Sequence, residues 1–204
     1  MNARGPRAPG AKEINVNSWQ AWNNRLLIAL LLGAASAQAL AAPVLSVSAT
    51  PNPAVLGSTV DLSVLIADVS DLYGYQFSLS FDTGVLRATG VTEGAFLGSG
   101  GNTVSGYGSI DNTTGAVSFV YNTLVGPSAG VSGGGALAHI RFDVIGVGST
   151  PLTFSDALFL DSRLGEVAVR IESTPLQAVP EPEAYLMLGV GLVGLAALRR
   201  RRIG

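Results

Sequence analysis

The sequence predicts an all-β fold, a two-sheet antiparallel β-sandwich of about nine strands set between two apolar chain ends. Three observations predict it. The middle of the 204-residue chain is rich in Gly, Ser, Thr and Val, which favours strands and turns over helices. Apolar and polar residues alternate in several segments, and Gly, Pro, Asn or Asp punctuates the gaps between them. Each end carries an apolar run flanked by basic residues.

Residues 1–41 are predicted to be a signal peptide that signal peptidase removes. Arg25 precedes an apolar run over residues 26–35, which has the length of a signal-peptide hydrophobic region. Small residues two positions apart follow it at residues 37–39 and 39–41. We expect cleavage after Ala41, and a buried helix is the alternative interpretation of this segment.

Residues 42–176 form the predicted sandwich. The alternation is clearest over residues 60–66, 73–81, 117–123 and 136–144. It assigns one face of the last three segments to the core, namely Tyr73, Tyr75, Phe77, Leu79 and Phe81; Val117, Phe119, Tyr121 and Thr123; and Ala136, Ala138, Ile140, Phe142 and Val144. It assigns four residues of the last segment to the outer face, namely Leu137, His139, Arg141 and Asp143. Shorter strands are predicted at residues 44–50, 85–92, 103–110, 152–159 and 167–172.

The charge and the composition of this region exclude several classes of function. Residues 42–179 hold eleven acidic and four basic residues, which gives a net charge of −7. An acidic domain without a basic stripe repels phosphate backbones, so nucleic acid is not an expected partner. The chain has no cysteine, which excludes disulfides, thiolate metal sites and a cysteine nucleophile.

Residues 177–204 have the pattern of a membrane tail. The motif at residues 179–182 consists of Val179, Pro180, Glu181 and Pro182. The apolar run 184–198 is the predicted transmembrane helix, but its fifteen residues rise only about 22 Å, less than the roughly 30 Å hydrocarbon core. A thin or transient anchor fits that length. The run is followed by a cluster expected to stay cytoplasmic, namely Arg199, Arg200, Arg201 and Arg202.

This tail closely resembles the PEP-CTERM sorting signal in the order, spacing and terminal position of its parts. The resemblance implies inner-membrane anchoring, at least transiently, and recognition by an exosortase-type membrane protease. It further implies delivery to the cell surface or the extracellular matrix of a Gram-negative bacterium. A plain tail anchor is the alternative.

The order of the strand patterns resembles the cohesin family from about Val44 to Glu172. The strongest stretch is 71–86, where an aromatic strand is followed by Phe81-Asp82 and then by Val85-Leu86. Residues 90–97, 115–119 and 135–142 continue the match. The resemblance implies a jelly-roll sandwich, a fold similar also to that of some carbohydrate-binding modules. It implies a binding module whose family partner is the dockerin, a small Ca²⁺-loaded helical domain.

The resemblance also indicates where a partner would bind. Cohesins often place Asn and Asp on the solvent side of the strand over residues 72–81, where this chain has Gly74 and Gln76. The chain therefore departs from the family pattern at these positions. Tyr107 stands between Gly106 and Gly108, and its uncovered ring is the candidate contact for sugar.

No catalytic constellation is predicted. His139 is the only histidine and lies within a predicted strand. Residues 130–134 match the G-x-S-x-G pattern, but no helix follows them, so they are interpreted as a glycine-rich loop. No cofactor is expected, although Ca²⁺ could bind at the acidic pairs Asp68/Asp71 or Asp156/Asp161 together with backbone carbonyls.

The leading hypothesis is therefore an exported, non-enzymatic surface module that attaches to a dockerin-like protein or to exopolysaccharide. Two alternatives stay open. One is a structural component of the exopolysaccharide or biofilm matrix that needs no specific partner. The other is a carbohydrate-binding module linked to polysaccharide breakdown.

Overall fold

The computed structural model describes residues 41–203, so the predicted signal peptide lies outside the described residues except for Ala41. The fold is the predicted β-sandwich. Its strands, in chain order, are β1 Val44–Thr50, β2 Ala54–Val55, β3 Thr59–Ser80, β4 Leu86–Glu93, β5 Thr103–Asp111, β6 Ala116–Leu124, β7 Val131–Val144, β8 Gly148–Thr150, β9 Thr153–Asp161, β10 Arg170–Ile171 and β11 Leu176–Val179. The helices are α1 Ala95–Gly98 and α2 Pro182–Ile203.

The long strand β3 belongs to both sheets. Its residues 59–66 pair with β7, and its residues 61–67 pair with β1. Its residues 74–80 pair with β6 and β9. One sheet therefore has the order β10-β1-β3-β7-β4, and the other has the order β5-β6-β3-β9. Asp68 and Asp71 have positive φ angles of 56° and 60°, and this irregular stretch joins two segments that the alternation predicted as separate strands.

The core lies between the two sheets and contains the residues that the alternation predicted for β3. Val60, Leu62, Val64 and Ile66 enter it from the first sheet, and Tyr75, Phe77, Leu79 and Phe81 enter it from the second sheet. Tyr73 is half-buried against its margin. Phe77 meets Phe154 edge to face at 5.5 Å between ring centroids, and Phe81 meets Phe142 at 5.1 Å. Such pairs add to the burial of the apolar surface.

The prediction for β6 is wrong after Val117. Between Val117 and Val120 the strand carries a bulge, at which Phe119 has a φ of +62° and donates its N–H to Ser78 Oγ at 3.2 Å. An extra residue in one strand reverses the in-and-out order that follows it. Val120, Asn122 and Leu124 are therefore buried, while Phe119 and Tyr121 are exposed.

The prediction for β7 is wrong at Leu137. Its neighbours Ala138 and Ala136 pair with consecutive residues of β3, so Leu137 is the extra residue of a bulge. It is fully buried instead of facing outward. The glycine-rich segment 130–134 is also not a loop, because β7 already begins at Val131.

The chain leaves the sandwich through a small third sheet of order β2-β11-β8. Helix α2 then includes both the predicted span 184–198 and the four arginines that follow it. Within residues 41–203, no helix is both long enough and apolar enough to cross a membrane. The transmembrane role of α2 stays a prediction.

Candidate docking face

The outer surface of the β5-β6-β3-β9 sheet brings together the two site residues predicted on β3. Gln76 pairs with Tyr121 on β6 and with Leu158 on β9. Gly74 pairs with Thr123 and Leu160 on the same two strands. Because directly paired residues share a face of the sheet, these side chains stand in two adjacent rows. We call this surface the docking face.

A shallow depression lies where Gly74 provides no side chain. It has a volume of about 160 Å³ and is bounded by the residues of both rows. A Cβ atom at residue 74 would lie 3.2 Å from Thr123 Oγ1 and 3.4 Å from the Asn122 carbonyl oxygen. The glycine is therefore the floor of the depression, and a large side chain at this position would fill it.

Two aromatic residues of β6 are exposed, and one of them, Tyr121, lines the depression. The ring of Tyr121 lies over Gly106 of β5, since its Cε1 atom is 2.2 Å from the position that a Cβ of residue 106 would occupy. Only glycine fits beneath the ring. Tyr121 is 41% exposed and Phe119 is 59% exposed. The alternation assigned both residues to the core, and nothing in the sequence indicates the bulge that brings them to the surface.

The third predicted site residue, Tyr107, does not join Gly74 and Gln76. It pairs with Val120, whose side chain is in the core, so its side chain leaves β5 on the inner side of the sheet. Its ring is half-exposed because β5 is an edge strand. A contact between Tyr107 and sugar stays a prediction, at a place separate from the docking face.

A partly buried polar network lies beneath the docking face. Glu93 Oε1 accepts hydrogen bonds from Asn122 Nδ2 at 2.6 Å and from Thr103 Oγ1 at 2.8 Å. These bonds tie β4 to β6 and to β5. The hydroxyl of Tyr75 donates to the carbonyl oxygen of Leu137, and burial raises the pKa of Tyr75 above its usual value. The network fixes the backbone on which the exposed rows stand.

The amide of Gln76 is the main polar group of the docking face. Its Nε2 atom lies 3.5 Å from the Asp156 carbonyl oxygen, which is a long and weak hydrogen bond. A partner can therefore compete for this amide at low cost. None of the described residues that line the depression is charged, and Asp156 lies at the margin.

The opposite sheet carries the ion pairs. Arg87 and Asp143 approach to 2.6 Å, Arg141 and Asp61 to 2.8 Å, and Arg170 and Glu172 to 2.7 Å. The hydrogen bond from Arg141 holds the pKa of Asp61 below its usual value. All these groups are substantially exposed, so each pair adds little to stability. The two outer surfaces thus differ: one carries paired charges, and the other carries an uncharged depression beside the exposed Tyr121 ring.

A broad groove on this charged side is lined by Asp61, Thr92, His139 and Arg141, among others. Its volume is about 480 Å³. His139 Nδ1 lies 3.0 Å from Ser63 Oγ, so the only histidine contacts a neighbouring strand residue. Arg141 is already engaged by Asp61.

The residues of the G-x-S-x-G segment connect strands. Ser132 Oγ accepts the N–H of Asp71 at 3.0 Å. The Asp71 carboxylate accepts the Ser162 hydroxyl at 2.7 Å and the Gly130 N–H at 2.8 Å, and these bonds lower the pKa of Asp71. Ser132 and His139 are seven residues apart on one strand, roughly 23 Å. That separation does not allow a hydrogen bond between nucleophile and base.

The acidic pairs considered for Ca²⁺ do not form larger clusters. Within residues 41–203, no group of three or more His, Asp or Glu side chains is arranged to hold a metal ion. Asp71 is engaged by the hydrogen bonds described above. Asp161 accepts the N–H groups of Arg163 at 2.9 Å and Gly165 at 2.7 Å, which closes the turn after β9.

The sequence of the whole sandwich matches the cohesin domain family over residues 45–174, more than half of the chain. The chain belongs to the cohesin family. The tail of this cohesin matches the PEP-CTERM protein-sorting motif over residues 178–202. A comparison with curated proteins gave no match.

Solved cohesins share the fold. One is a non-cellulosomal cohesin from the hyperthermophilic archaeon Archaeoglobus fulgidus, with 21% identity, a TM-score of 0.53, and coverage of 72% of this chain and 98% of that one. Another is the second type II cohesin module of the cellulosomal adaptor ScaA scaffoldin of Acetivibrio cellulolyticus, with 16% identity, a TM-score of 0.56, and coverage of 69% and 99%. A third is in a type II cohesin–X–dockerin complex from Acetivibrio cellulolyticus, with 13% identity, a TM-score of 0.54, and coverage of 67% and 99%. These similarities concern the fold.

Proposed function

We propose that this cohesin is a non-enzymatic binding module that docks a helical, dockerin-like protein on its docking face. The observation that carries the proposal is the uncharged depression over Gly74, which is lined by the exposed Tyr121 ring and the half-buried side chains of Leu158 and Leu160. Exposed apolar patches of this kind mark interaction sites. Solved cohesins of the same fold occur in complexes with dockerins, which supports a protein as the partner.

The chemistry of the docking face defines what the partner presents. A depression of about 160 Å³ accepts one branched apolar side chain, such as Leu or Ile, projecting from a helix. Tyr121 and Phe119 would then cover the neighbouring helical turn, and Gln76 would exchange its weak internal bond for one to the partner. Without charged groups in the depression, affinity would come mainly from apolar burial.

We further propose that the chain is exported and sorted through its two ends. Signal peptidase would cut after Ala41, and an exosortase-type protease would act on the motif at residues 179–182. The segment 184–198 would hold the chain in the inner membrane, at least transiently, with the arginines on the cytoplasmic side. The cohesin would finally reach the cell surface or extracellular matrix of a Gram-negative bacterium. The PEP-CTERM match supports this route.

Polysaccharide attachment is the second candidate function. The observation that favours it is the Tyr121 ring, which lies over Gly106 and remains 41% exposed. Such a ring could stack on a pyranose, with Gln76 bonding its hydroxyl groups. The module would then bind exopolysaccharide or take part in polysaccharide breakdown as a carbohydrate-binding domain. A matrix component without a specific partner is the remaining alternative.

A capture experiment distinguishes these functions. Residues 42–179 would be immobilised and exposed to the secreted proteins and the exopolysaccharide of the source organism, with and without Ca²⁺. The Gly74→Leu variant fills the depression, and Ser48→Leu, an exposed position of β1 on the other sheet, is the matched control. The proposal expects capture of a dockerin-bearing protein that requires Ca²⁺. It also expects Gly74→Leu to weaken binding at least about tenfold while Ser48→Leu leaves it unchanged.

The other results contradict the proposal in different ways. Retention by polysaccharide alone, lost in Tyr121→Ala, would establish the carbohydrate-binding function. Capture of neither protein nor polysaccharide would favour the matrix component. Capture that survives Gly74→Leu would leave protein binding in place but move it away from the docking face.

A further inference from the structure

The sorting motif follows the last strand of the sandwich without a linker. Strand β11 ends at Val179, which is also the first residue of the motif. Helix α2 begins at Pro182. Only Pro180 and Glu181 therefore separate the folded domain from the helix, a distance of about 7 Å in an extended chain.

Strand β11 is firmly built into the domain. Its backbone pairs with β8 on one side and with β2 on the other. The Val179 carbonyl accepts the N–H of Leu56 at 2.9 Å, and Gln177 Nε2 donates to Ser149 Oγ at 2.8 Å. Leu176 and Ala178 are 2% and 3% exposed. Removing β11 would expose both side chains and break the pairing on both edges.

The two residues just after β11 are not part of a strand. Pro180 is half-buried and Glu181 is exposed. A Cβ atom at Gly57 would lie 3.3 Å from Glu181 Oε1, so this carboxylate rests against the surface of the domain. A protease that reads the motif can reach its acidic residue while β11 stays paired.

Cleavage requires more than recognition. A protease holds the backbone around the bond that it cuts in an extended form, which excludes backbone already paired within a sheet. The bonds within residues 176–179 fail this condition as long as the domain is folded. The bonds on the carboxyl side of Val179 meet it once the first turn of α2 opens, and helix ends open at low cost.

We propose that the folded domain sets the processing site: the peptide bond cut during sorting lies on the carboxyl side of Val179, so that β11 stays in the mature cohesin. The inference rests on the proposed sorting function. In the cut, the C–N bond breaks, the carbonyl carbon gains the oxygen of one water molecule, and the nitrogen on the helix side gains a proton. The mature chain therefore keeps the whole third sheet.

The first test is the intact mass of the mature protein, produced as the full chain in a bacterium that has the sorting machinery. The inference expects a new carboxyl terminus between residues 179 and 186. A terminus at or before Ala178 would overturn it while leaving sorting in place. Absence of any cut in the tail would instead refute the sorting function, and the inference would fall with it.

The second test needs no sorting enzyme. The purified full chain is digested briefly with a protease of broad specificity, and the cut bonds over residues 172–190 are identified by mass. The wild type should be cut first on the carboxyl side of Pro180, at bonds that do not precede a proline, because most proteases do not cut X–Pro bonds such as Val179–Pro180. Leu176→Ala, which loosens β11, should raise cutting within residues 176–179 at least about tenfold, because cleavage follows the open population.

Two further variants complete this second test, one as a control and one as a milder change in β11. Leu164→Ala removes an exposed leucine of the turn after β9 and should behave like the wild type. Gln177→Ala removes only the bond to Ser149 and should raise cutting within β11 by a smaller factor if Leu176→Ala fails to fold. Equal cutting within residues 176–179 in the wild type and the loosened variants would overturn the inference.

Discussion

Replacing Tyr75 by Phe removes one buried hydroxyl and leaves its ring in the core. The hydroxyl donates to the Leu137 carbonyl, which also accepts the Gly94 N–H at 2.8 Å. The carbonyl therefore keeps one partner in the variant. Near pH 7 the loss is one hydrogen bond, and we expect the free energy of unfolding to fall by about 0.5–1.5 kcal/mol.

The same substitution should have the opposite effect in alkali. Burial raises the pKa of Tyr75 in the folded cohesin, while the unfolded chain titrates near the ordinary value of 10.0. The native state therefore keeps a proton that the unfolded state loses. The contribution of Tyr75 to stability is complete below about pH 10, and about 1.4 kcal/mol of it is lost with each further pH unit. The Phe variant has no such loss.

The two curves of stability against pH should therefore cross between about pH 10.4 and pH 11.1. Urea unfolding followed by circular dichroism between pH 7 and pH 11.5 measures both curves. Tyr121→Phe is the control, because it removes the same hydroxyl group from an exposed tyrosine instead of a buried one. A constant difference between wild type and Tyr75→Phe up to pH 11.5 would show that the Tyr75 hydroxyl ionises as readily in the fold as in the unfolded chain.

Three other predictions follow from the contacts. Hydrogen bonds from Ser162 and Gly130 lower the pKa of Asp71, so its contribution to stability is present above about pH 3.8 and is lost as the pH falls further. Asp71→Asn should therefore be less stable at pH 7, and its free energy of unfolding, measured with urea, should fall less steeply in acid than that of the wild type. Gly106→Ala should displace the exposed Tyr121 ring from its place over β5 at little cost in stability, so unchanged aromatic proton shifts of Tyr121 in NMR spectra would contradict the contact. Raising the salt concentration to about 1 M should leave the Kd of a captured protein partner nearly unchanged, and a large weakening would reveal charged contacts.

The sequence was sufficient to predict the fold class and the strands in which period two is unbroken. Residues 60–66 and 75–81 alternate without an insertion, and their core faces were predicted correctly. The predictions failed at Phe119 and Leu137, where each strand carries one extra residue. A bulge depends on the facing strand, which accommodates it through contacts such as the hydrogen bond between Phe119 and Ser78. The sequence of one strand does not show which strand will lie beside it, so the position of the bulge could not be predicted.

The docking face could be predicted only in part for the same reason. The family resemblance indicated Gly74 and Gln76, and the structure shows that they share a surface. Tyr121 was assigned to the core because the bulge was not visible in the sequence, and Tyr107 was expected on the surface through its flanking glycines. Tyr107 is indeed half-exposed, and Gly106 in addition makes room for the Tyr121 ring on the neighbouring strand, which the sequence did not indicate.

The distribution of charge gives the strongest reason to place binding on one sheet. Both sheets must cover the same core, and both outer surfaces meet solvent, so the fold itself does not require them to differ. On the β10-β1-β3-β7-β4 sheet, ion pairs such as Arg141–Asp61 satisfy each other and keep that surface hydrated. On the docking face, Phe119 and Tyr121 are exposed in a domain of net charge −7, which has ample acidic residues for solubility. Exposed aromatic rings are costly in water unless a partner covers them, and this is the physical reason for proposing the docking face as the binding surface.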